Sequence, residues 1–256
     1  TELILSKVIN KKREEILLNS NNKLKNTDLI KFKSYLFRRH HKEPMAYILG
    51  YKHFWKHKFL TNKSVLIPRP DTELIVEETL KHLPIDKSKK ILDVGTGSGC
   101  IVVSLLKDRP KCIATAIDIS KNAINVAKTN AKLHQLENKI NFINIDIDKY
   151  KSYNYDLIIS NPPYINSIEL KRLDDDIKFH EPKLALSGGF DGFRDLKKVI
   201  IKSKKLLKIN GKLILEIGHN QKNQCVRILN ESKFYVNNIS KDLSGKDRCI
   251  VSTKLP

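Results

Sequence analysis

The sequence predicts an α/β fold in which a parallel sheet is covered by helices on both faces and is preceded by a small helical domain. Three observations predict it. Apolar stretches of strand length alternate with helical stretches from residue 71 to residue 256. Apolar side chains in residues 1–45 recur at helical spacing between charges. An aromatic and β-branched stretch, residues 46–70, lies between the two and predicts a β-hairpin linker.

The N-terminal domain is expected to consist of amphipathic helices. Its apolar positions are separated by charged residues and include Leu3, Val8, Ile16, Leu17, Leu29, Phe32, Tyr35 and Leu36. The first residues lack the uninterrupted apolar core of a signal peptide, and no apolar run reaches the roughly 18–20 residues that a membrane span requires. We therefore expect a cytoplasmic protein with no membrane partner.

The linker is expected to form a hairpin between Tyr47 and Ile67, with a turn at Thr61–Asn62. His53 and His57 would share one side of a helix and form a candidate metal pair there. In strands their spacing carries no such meaning, so we expect them to be surface residues.

Strands and helices alternate after the linker. Expected helices include 120–133 and 191–207. The strands are expected at Lys90–Val94, Ile113–Asp118, Ile140–Ile145, Tyr155–Ser160 and Lys212–Ile217, with a closing pair at Phe234–Asn238 and Arg248–Thr253. Ligands of such sheets bind beyond the carboxyl ends of the strands, so the residues that follow each strand are the candidates for function.

Charge and cysteine content set weaker limits. The 48 Lys and Arg against 28 Asp and Glu give a net charge of +20, which is typical of proteins with nucleic-acid or other acidic partners. The excess is mostly lysine spread along the whole chain, which compositional drift explains equally well.

The four cysteines are scattered without metal-ligand spacing, so we expect reduced structural thiols and no metal.

The first strand of the sheet leads into a glycine-rich turn, "LDVGTGSGC". Asp93 ends the strand, and Gly95, Thr96, Gly97, Ser98 and Gly99 follow it where a helix begins. Bare backbone at such a turn lets a ligand approach the main chain closely. The GxGxG spacing lacks the last glycine of the dinucleotide fingerprint, so the turn alone leaves a ligand site and a simple tight turn open.

The next two strands also end in carboxylates. Asp118 follows Gly95 by 23 positions, where a carboxylate accepts hydrogen bonds from both ribose hydroxyls of a nucleotide. Asp146 ends the third strand, where an acceptor could meet an adenine amino group. Each acid alone is more often a turn or cap residue, but together at successive strand ends they indicate a cofactor that carries a nucleoside.

The fourth strand delivers "NPPY", residues Asn161, Pro162, Pro163 and Tyr164, to the same edge. Two prolines make a stiff corner that lacks amide donors. The side-chain oxygen of Asn161 and the carbonyl oxygen of Pro162 can each hold one hydrogen of a planar NH2 group, while Tyr164 stacks behind it. The sequence therefore predicts transfer of a methyl group to an amide or exocyclic amine by positioning and electrostatics.

These motifs, in this order, resemble the HemK/PrmC family of release-factor glutamine methyltransferases. The resemblance runs from about Arg38 to the end of the chain. Its segments are "RRHHKEPMAYILGYKHFW", "VLIPRPDTELIVE", "LDVGTGSGCIVVSLL", "AIDIS", "SNPPYI", "HEPKLALSGGFDG", "LEIGHNQ" and "SGKDRCIV". It implies a class I, Rossmann-like sheet that binds S-adenosylmethionine and releases S-adenosylhomocysteine.

The resemblance also implies roles for single residues. Gly95 to Gly99 and Asp118 would bind the cofactor, Asn161 would touch both cofactor and substrate, and Asn161 to Tyr164 would hold the glutamine amide. The partners would be class 1 peptide-chain release factors, methylated in their Gly-Gly-Gln motif, gripped by the N-terminal domain, with no requirement for direct nucleic-acid binding. A monomer is expected. The segment "DIDKY" departs from the family pattern, which leaves the choice between Asp146 and Asp148 open.

Two other functions remain open at this point. An adenine-N6 methyltransferase acting on DNA or RNA would use the same NPPY chemistry, and the basic charge would be its electrostatic footprint. Against it, only the first 60 or so residues are free to form a recognition region, and they carry no nucleic-acid-binding signature. A non-catalytic adaptor that binds ribosomal components is disfavoured because the cofactor turns and the NPPY motif are intact.

Overall fold

A computed structural model describes residues 1–18 and 21–256. The described N-terminal residues form helices α1 (Glu2–Ile9), α2 (Arg13–Leu18), α3 (Asn26–His40) and α4 (Met45–Leu49). The ammonium group of Lys7 in α1 donates to the carbonyl oxygen of Leu49 at 2.7 Å, which joins the first of these helices to the last. Gly50 ends α4 in the left-handed conformation with φ 83°, as is typical of a glycine after a helix.

The linker forms an antiparallel hairpin of β1 (Tyr51–Phe54) and β2 (His57–Leu60). The expected turn at Thr61–Asn62 is wrong, because the chain reverses at Trp55–Lys56 with Trp55 at φ 54°; Tyr47 lies in α4. The physical reason is packing. A two-residue turn places Phe54 and Phe59 together on the buried face, with ring centroids 6.1 Å apart.

The rest of the chain alternates helices and strands as expected. Its helices are α5 (Glu73–Lys81), α6 (Cys100–Asp108), α7 (Lys121–Leu133), α8 (Ser167–Lys171), α9 (Asp175–Lys178), α10 (Lys183–Leu186), α11 (Arg194–Leu206) and α12 (Lys222–Glu231). Its strands are β3 (Lys90–Val94), β4 (Ile113–Asp118), β5 (Ile140–Asn144), β6 (Tyr155–Ser160), β7 (Leu207–Glu216), β8 (Phe234–Lys241) and β9 (Asp247–Lys254). Short 3-10 turns occur at Pro70–Thr72 and Ile147–Lys149.

Within the described residues, seven strands form one sheet in the order β5-β4-β3-β6-β7-β9-β8. The first five are parallel, and β9 runs antiparallel between β7 and β8. The α/β architecture with helices on both faces of a mostly parallel sheet is therefore confirmed. Since β3 lies between β4 and β6, the strand order reverses there, and a crevice opens at the carboxyl ends of these strands.

The sheet is buried on both faces. Neighbouring residues of one strand belong to different cores: Ile91 packs in the core beneath α5 and α6, and Leu92 packs in the core beneath α11 and α12. The same division separates Leu157 from Ile158 in β6. Continuous apolar runs in the strands follow from this double coverage. No helix in the part of the chain that the structure describes has the length and apolar character to span a membrane.

Candidate active site

A cavity of about 520 Å³ opens at the carboxyl ends of β3, β4 and β6, within the range typical of small-molecule sites. Its walls come from the glycine-rich turn, the ends of β4 and β5, the NPPY corner, the segment that follows the hairpin, and α11. The sequence-predicted residues among them are Gly95, Thr96, Gly97, Ser98, Asp118, Asp146, Asn161, Pro162 and Pro163. The structure thus brings the motifs of four separate segments to one place.

The glycines of the turn have two different structural roles. Gly95 and Gly97 have φ values of 72° and 55°, and a Cβ built on either would meet no atom closer than 4.0 Å. A side chain there would therefore occupy the cavity itself. Gly99 lies away from the cavity lining, and its Cβ would stand 3.2 Å from the Cβ of Ala127. Gly99 thus permits close packing of the turn against α7.

Asp93 lies fully buried beneath the turn. Its Oδ2 accepts a hydrogen bond of 2.7 Å from the Thr96 hydroxyl, while Oδ1 has no hydrogen-bond partner among the described residues. Burial raises the pKa of Asp93 to about 7, against the opposing effect of Thr96. Asp93 therefore organises the turn from below and does not face a ligand.

Asp118 is held in place by two backbone amides. The N–H of Gly97 donates to Oδ2 at 3.0 Å, and the N–H of Ser120 donates to Oδ1 at 2.8 Å. Burial raises the pKa of Asp118, and these two hydrogen bonds oppose the rise. Each carboxylate oxygen has a further lone pair. Asp118 is therefore a pre-oriented acceptor at the cavity wall.

The end of β5 separates the two candidate acids. Asp146 lines the cavity, and its Oδ1 accepts from the N–H of Asp148 at 2.8 Å, which caps the 3-10 turn. Lys198 pairs with both acids, at 3.8 Å from Asp146 and 3.3 Å from Asp148. Asp148 lies outside the lining and also pairs with Lys202 at 3.9 Å. The geometry favours Asp146 over Asp148 as the residue that faces a ligand.

Several residues that line the cavity were not predicted from the sequence. Apolar walls come from Ile119, Ile145, Ile147 and Val199, and two cationic side chains of α11, Arg194 and Lys198, also line the cavity. The isoleucines could have been identified from the sequence, since each directly follows or precedes an acidic residue at the end of a strand. A bare glycine cradle, an oriented carboxylate and aliphatic walls together fit the polar and planar parts of S-adenosylmethionine.

The NPPY corner follows β6 directly. The Ser160 hydroxyl donates to the carbonyl oxygen of Val94 at 2.8 Å, which fixes the end of β6 against β3. The side-chain nitrogen Nδ2 of Asn161 donates to Thr72 Oγ1 at 3.1 Å. No described residue donates a hydrogen bond to Asn161 Oδ1 or to the carbonyl oxygen of Pro162. Two acceptors thus remain available at the corner, as the sequence predicts.

The corner is braced from behind by the segment that follows α10. The N–H of Ile165 donates to the carbonyl oxygen of Leu186 at 3.1 Å, and the N–H of Gly188 donates to that of Ile165 at 3.0 Å. A Cβ on Gly188 would stand 2.7 Å from the carbonyl oxygen of Pro163. The backbone at Gly188 therefore packs directly against the NPPY corner.

Tyr164 is anchored at both ends. Its hydroxyl donates to Glu216 Oε1 at 3.0 Å, and its carbonyl oxygen accepts from Gln221 Nε2 at 3.1 Å. The guanidinium of Arg248 lies 3.4 Å from the hydroxyl. Burial and the Glu216 carboxyl raise the pKa of Tyr164 far above its ordinary value. Tyr164 therefore remains a neutral phenol.

A smaller pocket of about 130 Å³ lies on the other side of the corner. It shares Leu66, Arg69, Asn161, Pro162, Pro163 and Ala185 with the large cavity, and it is otherwise lined by Tyr164, Ile165, Leu173, Ile177, Leu186 and Glu216. The NPPY acceptors therefore stand at the junction of a large cavity and a small, mainly aliphatic one.

The N-terminal region contacts the walls of this smaller pocket. Arg39 of α3 pairs with Asp176 of α9 at 2.6 Å, and the buried carboxylate of Glu181 accepts from the N–H of Ile67 at 3.1 Å and from Arg69 at 2.5 Å. These contacts tie α3 and the segment after the hairpin to the chain between β6 and α11. Nothing in the sequence alone indicated that these residues would contact one another.

No group of three or more His, Cys, Asp or Glu side chains in residues 1–18 and 21–256 could hold a metal ion. His53 and His57 lie on opposite strands of the hairpin. All four cysteines are buried and free.

Solved structures with the same fold include methyltransferases. A methyltransferase from Pyrococcus furiosus superposes with a TM-score of 0.58 at 16% identity, over 88% of this chain and 98% of that one. A ribosomal protein L11 methylase from Lactobacillus delbrueckii gives a TM-score of 0.56 at 18% identity, over 76% and 84% of the two chains. Fold and site together define a class I S-adenosylmethionine-dependent methyltransferase fold.

Sequence comparisons define the family within this class. Residues 1–50 match the PrmC N-terminal domain and residues 72–175 match the Methyltransferase small domain. The release factor glutamine methyltransferase of Clostridium acetobutylicum is 34% identical over 99% of this chain and 90% of its own length, and that of Caulobacter vibrioides is 35% identical over 95% and 85%. The chain belongs to the release factor glutamine methyltransferase family.

Other relatives are longer. The bifunctional methyltransferase of Rickettsia bellii is 36% identical over 97% of this chain, and the chain spans about half of that protein, 50% of its length. The resemblance to the HemK/PrmC family that the motifs predict is confirmed.

Proposed function

We propose that this protein transfers the methyl group of S-adenosylmethionine to the side-chain nitrogen of the glutamine in the Gly-Gly-Gln motif of class 1 peptide-chain release factors. The observation that carries this proposal is the pair of available acceptors, Asn161 Oδ1 and Pro162 O, at the junction of the two cavities. Its family membership and the names of its relatives support a release factor as the substrate.

The large cavity is the proposed cofactor site. Backbone at Gly95 to Ser98 would lie against the amino-acid part, Asp118 would accept from the ribose hydroxyls, and Asp146 would face the adenine between aliphatic walls. When bound, S-adenosylmethionine supplies an electrophilic methyl group. We propose no metal.

The residues of the corner act by positioning. A glutamine amide nitrogen is a poor nucleophile because its lone pair is delocalised. Asn161 Oδ1 and Pro162 O would each accept one of its hydrogens and hold the nitrogen as it loses planarity. The nitrogen would form its bond to the methyl carbon as the bond from that carbon to the sulfonium sulfur breaks, and it would then release one proton to solvent. The prolines fix the position of the Pro162 carbonyl, and Thr72 holds the Asn161 side chain. Tyr164 would pack on the plane of the amide.

The small pocket favours a glutamine over a flipped adenine base. Its lining is aliphatic apart from Asn161, Tyr164 and the two charged residues Arg69 and Glu216. A base taken out of a duplex is usually stacked between aromatic or apolar faces and read along its pairing edge. An unbranched amide side chain needs less surface. We propose that the N-terminal helices grip the release factor and that the protein acts as a cytoplasmic monomer.

The test is methyl transfer from labelled S-adenosylmethionine to a purified class 1 release factor. A release factor with the motif glutamine replaced by alanine, a tRNA and a duplex DNA are run beside it. We expect label on the unaltered release factor only. Label on nucleic acid alone would reassign the NH2 pocket to adenine, and absence of label on every substrate would refute the proposal.

A further inference from the structure

Thr72 is a buried threonine to which the sequence motifs assign no role. It lies at the end of the 3-10 turn Pro70–Thr72, is 3% exposed, and lines the large cavity. Its Oγ1 accepts the hydrogen bond of 3.1 Å from Asn161 Nδ2. Thr72 is thus the residue that the side-chain amide of Asn161 contacts.

This contact decides which end of the Asn161 amide faces the reaction. An asparagine side chain presents either its oxygen, an acceptor, or its NH2, a donor, and the two ends have nearly the same shape. Methyl transfer to an NH2 group needs the oxygen to face it. A partner that accepts from the NH2 end therefore gives the corner its acceptor character.

A threonine hydroxyl can donate or accept, so something must direct it. Glu216, at the end of β7, is 2% exposed and lies beside Thr72. Burial raises the pKa of Glu216, and the hydroxyls of Thr72 and Tyr164 oppose that rise. Its Oε2 has no hydrogen-bond partner within the described chain. A carboxylate only accepts. When ionised, Glu216 would accept the Thr72 proton and leave the Thr72 lone pairs to Asn161.

The same carboxyl holds the other side of the corner. Glu216 Oε1 accepts from the Tyr164 hydroxyl at 3.0 Å. Arg248, which pairs with Asp242 at 3.1 Å, lies 3.4 Å from that hydroxyl and supplies positive charge next to the buried acid. One carboxyl group thus borders both Asn161, through Thr72, and Tyr164.

We propose that Thr72 and Glu216 are positioning residues: Thr72 orients the Asn161 amide with Oδ1 toward the substrate nitrogen, and Glu216 directs the Thr72 hydroxyl and fixes the Tyr164 ring. This inference deepens the proposed function and rests on it for the identity of the substrate. The orientation of Asn161 itself can be measured without any substrate.

The first test compares Thr72→Val, Thr72→Ser and Thr79→Val. Valine removes the hydroxyl at constant shape, serine retains it, and Thr79 is a fully buried threonine of α5 whose hydroxyl has no partner among the described residues. We expect Thr72→Val to lower kcat about 10–100-fold with KM for S-adenosylmethionine within about threefold, because the acceptor acts in the transition state. Thr72→Ser should retain most of kcat, and Thr79→Val all of it.

The second test is independent of activity. In protein with 15N-labelled asparagine side chains, the NH2 resonances of Asn161 are assigned by their loss in Asn161→Asp. We expect slow exchange of one amide proton with solvent in the unaltered protein and in Thr72→Ser and Thr79→Val, and fast exchange in Thr72→Val. Exchange that Thr72→Val leaves unchanged would overturn the role of Thr72.

The third test addresses Glu216. Glutamine at this position accepts through one atom and donates through the other, so it cannot accept from both hydroxyls. We expect Glu216→Gln to lower kcat about tenfold or more, while Glu78→Gln, at another buried glutamate, 4% exposed, leaves kcat unchanged. Normal kcat in Glu216→Gln would overturn its role. If the unaltered enzyme labels no release factor, the proposed function fails, while the exchange measurement still decides the role of Thr72.

Discussion

Asn130 of α7 donates a hydrogen bond of 2.8 Å to the carbonyl oxygen of Ser98, 32 residues earlier in the chain. The same side chain exchanges two hydrogen bonds with the backbone of Leu60 in the hairpin, at 2.8 Å and 3.0 Å. One fully buried amide therefore joins the glycine-rich turn to the hairpin. The hairpin is thus part of the support of the cavity as well as a link between two regions.

Replacement of Asn130 by alanine should destabilise the protein strongly. It leaves an N–H and two carbonyl groups of the backbone without partners in the interior, and each unsatisfied group costs about 1–3 kcal/mol. We expect the free energy of unfolding to fall by about 2–4 kcal/mol, measured by urea titration. Asn125→Ala, at an exposed position of the same helix, is the control and should cost well under about 1 kcal/mol. Equal effects in the two variants would contradict the bridging role.

The raised pKa of Asp93 predicts that the difference in stability between Asp93→Asn and the unaltered protein depends on pH. Its folded-state pKa is about 7, against an ordinary value of 3.8. Between these values the folded protein binds more protons at this site than the unfolded chain, so this carboxyl group lowers stability as pH rises from about 4 to 7. We expect Asp93→Asn to exceed the unaltered protein in free energy of unfolding by about 4 kcal/mol at pH 8.

The advantage of Asp93→Asn should shrink toward zero near pH 4, where Asp93 is neutral in the folded protein. Urea unfolding of both proteins at pH 4, 6 and 8 measures the difference. Asp86→Asn, at an exposed position before β3, is the control and should change stability little at any of these values. A difference that grows as pH falls would reverse the sign and refute the assignment.

The strands were predictable because their signal is local. β3, β4 and β6 have the bounds that the apolar runs predict, since each run is buried on both faces and ends at the cavity. The hairpin turn was missed because Trp55 adopts a left-handed conformation that its residue type does not favour. Its position is set by burial of Phe54 and Phe59, a tertiary effect.

The site was predictable as a set of strand ends but not as a network. Parallel strands bring their carboxyl ends together, so the acids and the NPPY corner could be assigned to one edge from the sequence. Thr72, Glu181 and Glu216 were missed because each acts through a partner 35 or more residues away in a contact that only the folded chain creates. The choice between Asp146 and Asp148 likewise depended on the direction of a 3-10 turn.

The close packing of Gly188 against the NPPY corner predicts that a larger residue at this position lowers turnover. A Cβ there would stand 2.6 Å from the carbonyl oxygen of Gly192 and 2.7 Å from that of Pro163, and backbone atoms cannot move aside without moving NPPY. We expect Gly188→Ala to lower kcat about 100-fold, since displacement of about 1 Å costs that much in a positioned site. The assay is labelled methyl transfer, normalised to folded protein by circular dichroism.

The control for Gly188→Ala is Gly211→Ala. Its Cβ would stand 2.9 Å from the carbonyl oxygen of Lys208, a comparable clash located in β7 far from the NPPY corner. We expect lower stability and normal kcat per folded molecule. A similar loss of kcat in both variants would mean that general destabilisation, and not displacement of the corner, lowers turnover.

Asn161→Ala should abolish methyl transfer while the fold survives. Among the described residues the side chain makes one hydrogen bond, to Thr72, so its removal should cost about 1 kcal/mol of stability. Loss of a transition-state acceptor should instead lower kcat about 100–1,000-fold. Asn166→Ala is the control in the same loop: Asn166 caps α8 by accepting from the N–H groups of Ile168 and Glu169, and its loss should also cost about 1 kcal/mol. Because stability falls equally in the two variants, only the chemistry separates them, and near-normal turnover in Asn161→Ala would refute the role proposed for the NPPY corner.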